Sequence, residues 1–567
     1  VSRDQERLAV VRHRRTGQSV HHAMTTAPGL TTSHWIPDGS GPPLLVGATV
    51  GSRLREVAAE VPDRLALVEG LPTPERRRWT YAKLLADAEC CARGLLQHFE
   101  PGEHVAVWAH SLPEWVLLEY GAALAGLTLV TVNPSLQPAE ASYILGQSRA
   151  AGLFLVPEVR GNQLAAHAET IHAELPELRR VLRLDQLDEL IAGSVGRDVA
   201  LPAVGPDDPA QIQYTSGMTG LPKGVVLRHG SLVNNARLWA DLVEIPDGAG
   251  WLLPLPLFHT GGCVLGVLGA LDRRATLVLM PMFEPGLFLE LIELERVWFA
   301  NTVPTMLIAA MDHPDAPSRD LSSWRSTVSG GAQVPEALVR RIEALGVDFT
   351  IVYGQTECSP LLTSTFPSDS AEDKGLTIGP PLPHTEVRIV DPVSLETVPI
   401  GSSGELWARG YCTMLGYFDM PEKSAETLRA DGWLRTGDLA TMDERGYCRI
   451  VGRLKDMIIR GGENLYPAEI EEVLYRHPAI AEVAVVGLPD ERWGEVVGAF
   501  IRPRDLDSPP TVAELRSHLR AHLSPQKIPT RWYAVDGYPL TGPGKIKKFA
   551  IREAWQKGEH DGHELAP

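Results

Sequence analysis

The residues best suited to chemistry begin with the run Tyr214-Thr215-Ser216-Gly217-Met218-Thr219-Gly220-Leu221-Pro222-Lys223-Gly224. Glycines let backbone N–H groups turn inward around phosphate oxygens. The hydroxyls of Thr215, Ser216 and Thr219 can donate further bonds, and Lys223 adds a point charge. This is not a Walker A loop, in which the lysine is followed by Ser or Thr and then a helix. Here Lys223 precedes Gly224 and a β-branched run. Taken alone, the segment reads equally well as a Gly/Ser turn between two strands.

Further along, Tyr353-Gly354-Gln355-Thr356-Glu357 closes an extended segment, the usual place for ligand contacts in α/β sheets. Tyr353 offers a flat face to a base, Thr356 a phosphate donor and Glu357 a hard oxygen ligand for Mg²⁺. Thr436-Gly437-Asp438 sets a carboxylate on a turn, where it could accept both hydroxyls of a ribose. Gly452-Arg453-Leu454-Lys455-Asp456 follows, then Gly461-Gly462, and Gly542-Pro543-Gly544-Lys545 lies near the end. Singly, each has a plain reading as a strand exit, a self-capping turn or a solvated lysine. With 452–462 counted as one, five such elements in this order from 214 to 545, some 330 residues, do not arise by chance.

The elements that must position these residues read as alternating strands and helices from about residue 50 onward. Residues 211–215 and 225–228 read as strands. Residues 231–244 form a helix, with Leu232, Ala236, Trp239 and Val243 on one face. The stretch 334–345 has Pro335 at its start and Gly346 just past its end, the expected helix punctuation, and 348–353 follows as a strand. Such βαβα order predicts α/β architecture with covered sheets. A smaller version lies near the C-terminus: helix 467–477, strand 481–486 and helix 511–523, the last opened by a Thr511/Glu514 capping box.

Together the motifs resemble those of the adenylate-forming superfamily, which includes acyl-CoA synthetases, luciferases and peptide-synthetase adenylation domains. The similarity runs from about residue 50 to 555 and takes in Pro256-Leu257-Phe258-His259-Thr260-Gly261-Gly262 and Ser329-Gly330-Gly331-Ala332. The resemblance implies a large N-terminal domain of several subdomains (31–454) and a small mobile α+β domain (455–567), hinged at Lys455. It further implies that a carboxylate attacks the α-phosphorus of ATP, releasing pyrophosphate, and that the acyl group then passes from AMP to coenzyme A. In that scheme Lys545 supplies charge to the first transition state and Glu357 carries Mg²⁺. Tyr353 stacks on adenine, Asp438 holds the ribose and Arg453 contacts the same sugar. Gly330, Gly331 and Ala332 line adenine and acyl group, His259 gates the thiol tunnel, and Gly461 and Gly462 lie along pantetheine. One departure stands out: Met218 occupies a position where the family usually has Thr or Ser, so a hydroxyl donor is missing.

Composition sets the bounds. The 567 residues carry 53 Lys+Arg against 71 Asp+Glu, a net charge of −18, which argues against broad capture of nucleic acid. No apolar run is long and charge-free enough for a membrane span: 116–132 carries Glu119, and 262–283 is broken by Asp272, Arg273 and Arg274. Six scattered cysteines form neither a metal pattern nor a disulfide framework, which suggests the cytoplasm. Residues 1–30, with five arginines and a local charge of +3, read as a disordered tail or an extension upstream of Met24. The leading expectation is an ATP- and CoA-dependent ligase for a medium- or long-chain fatty acid. Alternatives are an acyl-AMP ligase that loads a carrier protein, and a CoA ligase for a cyclic or aromatic acid. Trp298, Val303, Met306, Leu361 and Leu362 are acyl-pocket candidates, with core packing as the plainer reading. The oligomeric state stays open.

Overall fold

Short β-branched and apolar runs become strands covered on both faces, and the periodic stretches between them become the covering helices. The computed structural model describes residues 29–39, 41–196, 199–215, 221–332, 334–461, 463–539 and 546–565. Among these, the strands form four sheets. One is mostly parallel and runs in the order 361–364, 348–354, 326–330, 299–302, 250–253, 276–279, 65–69, 78–80. A second runs 416–417, 223–228, 209–215, 128–132, 104–108, 150–155, 180–183. A third, antiparallel, runs 34–35, 385–390, 404–410, 434–442, 448–453. The fourth belongs to the small C-terminal unit and holds 463–465, 458–460, 494–503, 531–534 and 563–564, with 480–490 paired to 494–503. The α/β class expected from the alternation is the class observed, with a large N-terminal domain and a small C-terminal one.

The two large sheets enclose the main core. Helix Pro113–Leu124 is buried throughout and, apart from Glu114 and Glu119, apolar, the pattern of a helix held between layers. Together with strand Thr128–Val132 it accounts for the apolar stretch 116–132. Within it Glu119 is buried, its Oε1 accepting a bond from Gln211 Nε2 at 2.8 Å, and burial pushes its carboxyl well above the usual range. The run 262–283 is likewise core: a π-helical segment Gly261–Leu268, a short helix Gly269–Asp272 and strand Thr276–Leu279. Among the described residues no helix is long and apolar enough to cross a membrane.

Boundaries shift modestly from the sequence reading. The helix expected at 231–244 spans His229–Leu242, and the one expected at 334–345 spans Glu336–Glu343 with Pro335 as its cap. In the small domain the strand expected at 481–486 extends to Ile480–Asp490, because its partner Gly494–Pro503 offers a full antiparallel edge. Helix Val512–Arg520 starts with Thr511 and Glu514 exchanging bonds as a capping box. Most of the expected N-terminal tail lies outside the described residues. At its end the Leu30 amide donates to Glu444 O at 2.9 Å, and His34–Trp35 adds a strand to the antiparallel sheet.

Candidate functional site

Register brings the motifs together. Strand Ser326–Gly330 runs parallel to Asp348–Gly354 with Gly330 opposite Val352, so Gly330-Gly331-Ala332 and Tyr353-Gly354-Gln355 leave the sheet at the same edge. Two glycines there are required by close approach. A Cβ on Gly330 would lie 2.4 Å from Val352 O, and one on Gly354 would lie 2.0 Å from Pro360 O. Asn235, fully buried, brackets the neighbouring strand: its Nδ2 donates to Leu361 O at 2.9 Å and its Oδ1 accepts from Leu361 N at 3.0 Å. Leu361 and Leu362 are both core residues, as the plainer reading had it.

Strands Pro209–Thr215 and Lys223–Arg228 form an antiparallel hairpin in which Thr215 faces Lys223, with the Thr215 hydroxyl 3.5 Å from Lys223 O. Ser216, Gly217, Met218, Thr219 and Gly220 lie outside the described residues, as do Gly462 and Lys545. The Lys223 ammonium sits 3.8 Å from the ring centroid of Tyr417, whose strand pairs with Val225 and Val226. Tyr417 in turn donates from its hydroxyl to Glu357 Oε1 at 2.8 Å. Glu357 is held in the short turn Thr356–Cys358, its carbonyl accepting from Met414 N at 2.9 Å. Burial lowers the Lys223 pKa; Glu357 opposes that shift, and Lys455 and Lys423 add to it. The expected hinge residue Lys455 is therefore within electrostatic reach of Lys223.

The third group gathers on the antiparallel sheet. Asp438, buried, accepts from the Tyr353 hydroxyl at 2.7 Å on Oδ2 and pairs with Arg453 Nε at 2.9 Å on Oδ1. Asp438 and Arg453 are direct register partners on adjacent strands, which explains their pairing across fifteen residues of chain. Gln355 Nε2 donates to Thr436 O at 3.2 Å and ties the two motifs together. The Asp438 charge raises the pKa of Arg453, and burial pushes the Tyr353 phenol well up, so it stays a protonated donor.

Sequence reasoning passed over two residues here. One is Tyr417. The other is Glu405, a buried carboxylate on strand Gly404–Gly410. Its Oε1 accepts from Gly437 N at 3.1 Å, and its Oε2 accepts from Trp407 Nε1 at 2.8 Å and from Arg435 at 2.9 and 3.0 Å. Glu405 thus clamps the turn that presents Asp438. Only strand pairing, invisible in a one-dimensional reading, brings it there.

His259 is exposed in the turn that enters the π-helical segment, where its Nδ1 accepts from Gly261 N at 3.1 Å. A π-helix is rare and often marks a functional site. In the small domain Gly461 closes the hairpin between Ile458–Arg460 and Glu463–Leu465 with φ +60°; a Cβ there would meet the Trp493 ring at 2.8 Å. The guanidiniums of Arg460 and Arg492 lie 5.6 and 5.0 Å from that same ring.

The donor set fits Mg²⁺. Among the described residues, Glu357 Oε1 is engaged and Oε2 accepts no hydrogen bond, and no cluster of three or more potential ligands occurs. A single carboxylate, joined through Tyr417 to the Lys223 ammonium, suits an ion that draws its remaining ligands from substrate phosphates and water.

A family profile described as "AMP-binding enzyme" matches residues 54–418, and one described as "AMP-binding enzyme C-terminal domain" matches residues 469–545. The chain is 39% identical over 542 residues to YngI of Bacillus subtilis (strain 168), covering 90% of this chain and 97% of that one. It is 37% identical over 547 residues to the mitochondrial medium-chain acyl-CoA ligase ACSF2 of Macaca fascicularis, covering 90% and 88%. Among solved structures, a Mycobacterium tuberculosis fatty acyl CoA synthetase matches with a TM-score of 0.74 at 31% identity, over 90% of this chain and 99% of that one.

Proposed function

The chain belongs to the AMP-binding enzyme family and is an AMP-forming acid–thiol ligase, and from that premise we propose that it joins a medium- or long-chain fatty acid to coenzyme A. The observation that carries the reading is the convergence of Lys223, Glu357, Tyr353, Asp438 and Arg453 from three sheets. That group offers a cation for phosphates, a carboxylate for a metal, an aromatic ring for a base and a carboxylate for a ribose. ACSF2, named for medium-chain acids, supports the acyl class.

The first step must bring two anions together. Lys223 meets the triphosphate, with Thr215 and the residues Ser216 to Gly220 around it, and Asp438 and Arg453 hold the sugar. Lys545 reaches the substrate carboxylate and the α-phosphate as the in-line transition state forms. Mg²⁺ on Glu357 would offset the charge of the departing pyrophosphate, and Thr356 would donate to a phosphate beside it. The second step needs the thiol of coenzyme A where Lys545 stood. Rotation of 455–567 about Lys455 would exchange that lysine for the Gly461-Gly462 turn, past His259. Trp493, flanked by Arg460 and Arg492 beside that turn, gives the small domain an aromatic face and two cations suited to CoA's adenine and phosphates. The described cysteines are all free, which suits a reducing compartment, the cytoplasm in our reading.

The test is pyrophosphate release over a panel of straight-chain, cyclic and aromatic acids, with and without CoA. Thioester formed from CoA with C8–C16 acids in preference to ring acids supports the proposal. Turnover that needs a carrier protein and ignores CoA, or a preference for ring acids, overturns it.

A further inference from the structure

Tyr417 touches both charged groups that would meet the triphosphate. Its hydroxyl donates to Glu357 Oε1 at 2.8 Å, and its ring face lies under the Lys223 ammonium at 3.8 Å. The side chain is itself anchored. Tyr417 is 5% exposed, its amide donates to Ser424 Oγ at 2.9 Å, and the next residue's amide donates to Gly224 O at 2.7 Å. Strand Gly416–Tyr417 thus extends the sheet that carries Lys223, while the phenol crosses to the turn that carries Glu357. The two groups come from segments more than 130 residues apart, and no described hydrogen bond joins them directly.

We propose that Tyr417 is a positioning residue for nucleotide binding, one side chain that sets the spacing between the metal-binding carboxylate and the phosphate-binding lysine. The hydroxyl has a specific task. By donating to Oε1 it orients the carboxylate and leaves Oε2 for the cation. The ring has another. An ammonium over an aromatic face is attracted by the ring's negative quadrupole, which holds the lysine in place when no phosphate is bound. The two roles are separable because they use different parts of the side chain. The inference rests on reading Glu357 and Lys223 as metal and phosphate partners.

The experiment measures binding, not turnover. ATP affinity is read by calorimetry without an acid substrate, in EDTA and across a Mg²⁺ series, and Mn²⁺ binding in the presence of ATP is read from the free-ion EPR signal. Tyr417→Phe, which keeps the ring and removes the hydroxyl, should raise half-saturating Mg²⁺ and Mn²⁺ about tenfold, the effect of one lost bond to a charged group. It should leave metal-free ATP affinity within about twofold, since the ring is unchanged. Tyr417→Met, which removes both, should also weaken metal-free ATP binding. A Phe variant with wild-type metal dependence overturns the proposal. So does a Met variant whose metal-free ATP binding matches the Phe variant's. Glu357→Gln separates the premises: if it leaves the metal curves unchanged, the reading of Glu357 fails and the proposal falls with it. If it shifts them while Tyr417→Phe does not, the proposal alone fails. Should the Met variant not fold, the Phe variant still decides the hydroxyl's role.

Discussion

Substituting Glu405 by Gln tests whether Asp438, the proposed ribose contact, depends on a clamp from the adjacent strand. The carboxylate accepts four bonds: one from Gly437 N, one from Trp407 and two from Arg435. A glutamine keeps the shape, removes the charge and puts an NH₂ against groups that are all donors. Because Glu405 is only 2% exposed, water cannot take over. A hydrogen bond to a charged group contributes about 1.5–3 kcal/mol. Breaking a fully buried ion pair costs about 3–5 kcal/mol, but the Arg435 side chain is 31% exposed and can reach solvent, so the lower figure applies. We therefore expect a stability loss of about 2–3 kcal/mol, in the range of one broken charge-assisted contact. Asp438 keeps its own bonds to Tyr353, Arg453 and Thr436, so only part of that loss reaches the nucleotide. If about 1.4 kcal/mol does, KM for ATP rises about tenfold. Initial rates of pyrophosphate release against ATP, paired with a thermal melt, measure both quantities. A lowered melting temperature with KM for ATP within twofold of wild type would refute the clamp and leave Glu405 a purely structural residue.

Four further outcomes are expected. Lys545→Ala should abolish adenylate formation yet leave thioester formation from pre-made acyl-AMP largely intact; loss of both half-reactions, or survival of both, contradicts the assigned role. Lys455→Pro should restrict φ at the hinge and slow the thioester step more than the adenylation step in single-turnover assays, and equal slowing counts against a hinge there. Gly354→Ala should destabilise the fold severely, because its Cβ would fall 2.0 Å from Pro360 O; a soluble variant with an unchanged melt would show that this approach can relax. His229 is buried and its pKa falls from 6.5 to about 4, so it folds as the neutral imidazole while the unfolded chain takes up a proton below about pH 6.5. Stability should therefore decline as pH falls from 6.5 toward 4, by about 3 kcal/mol from this group alone. The slope should flatten in His229→Asn, and an unchanged slope in melts across that window would remove His229 as its source.

The motifs nominated for nucleotide handling stand out in the sequence because the features that mark them are local. A Gly-rich loop with a lysine, an aspartate on a turn and a glutamate after a strand are each encoded within a few residues. The helix near 511 announced itself through Thr511 and Glu514 for the same reason, since capping is an i to i+3 interaction. The π-helical segment after His259 was not legible, because Gly261–Leu268 is apolar on all sides and carries no period.

What the sequence alone determined was the α/β class and the family, and it nominated the charged residues proposed for the site. Tertiary structure alone decided which of them touch. Asp438 meets Arg453 through strand register, and Tyr353 meets Asp438 only because two different sheets converge. Glu405 and Tyr417 join these residues by the same route, as partners supplied by strands that packing brings together across 32 and 60 residues of chain. The glycines divide in the same way. Gly217 and Gly220 were read from their neighbours in sequence, whereas the need for glycine at 354 comes from a carbonyl six residues on, brought within 2.0 Å of where a Cβ would stand. Side-chain type is written in the chain, but distance between remote side chains is a property of packing.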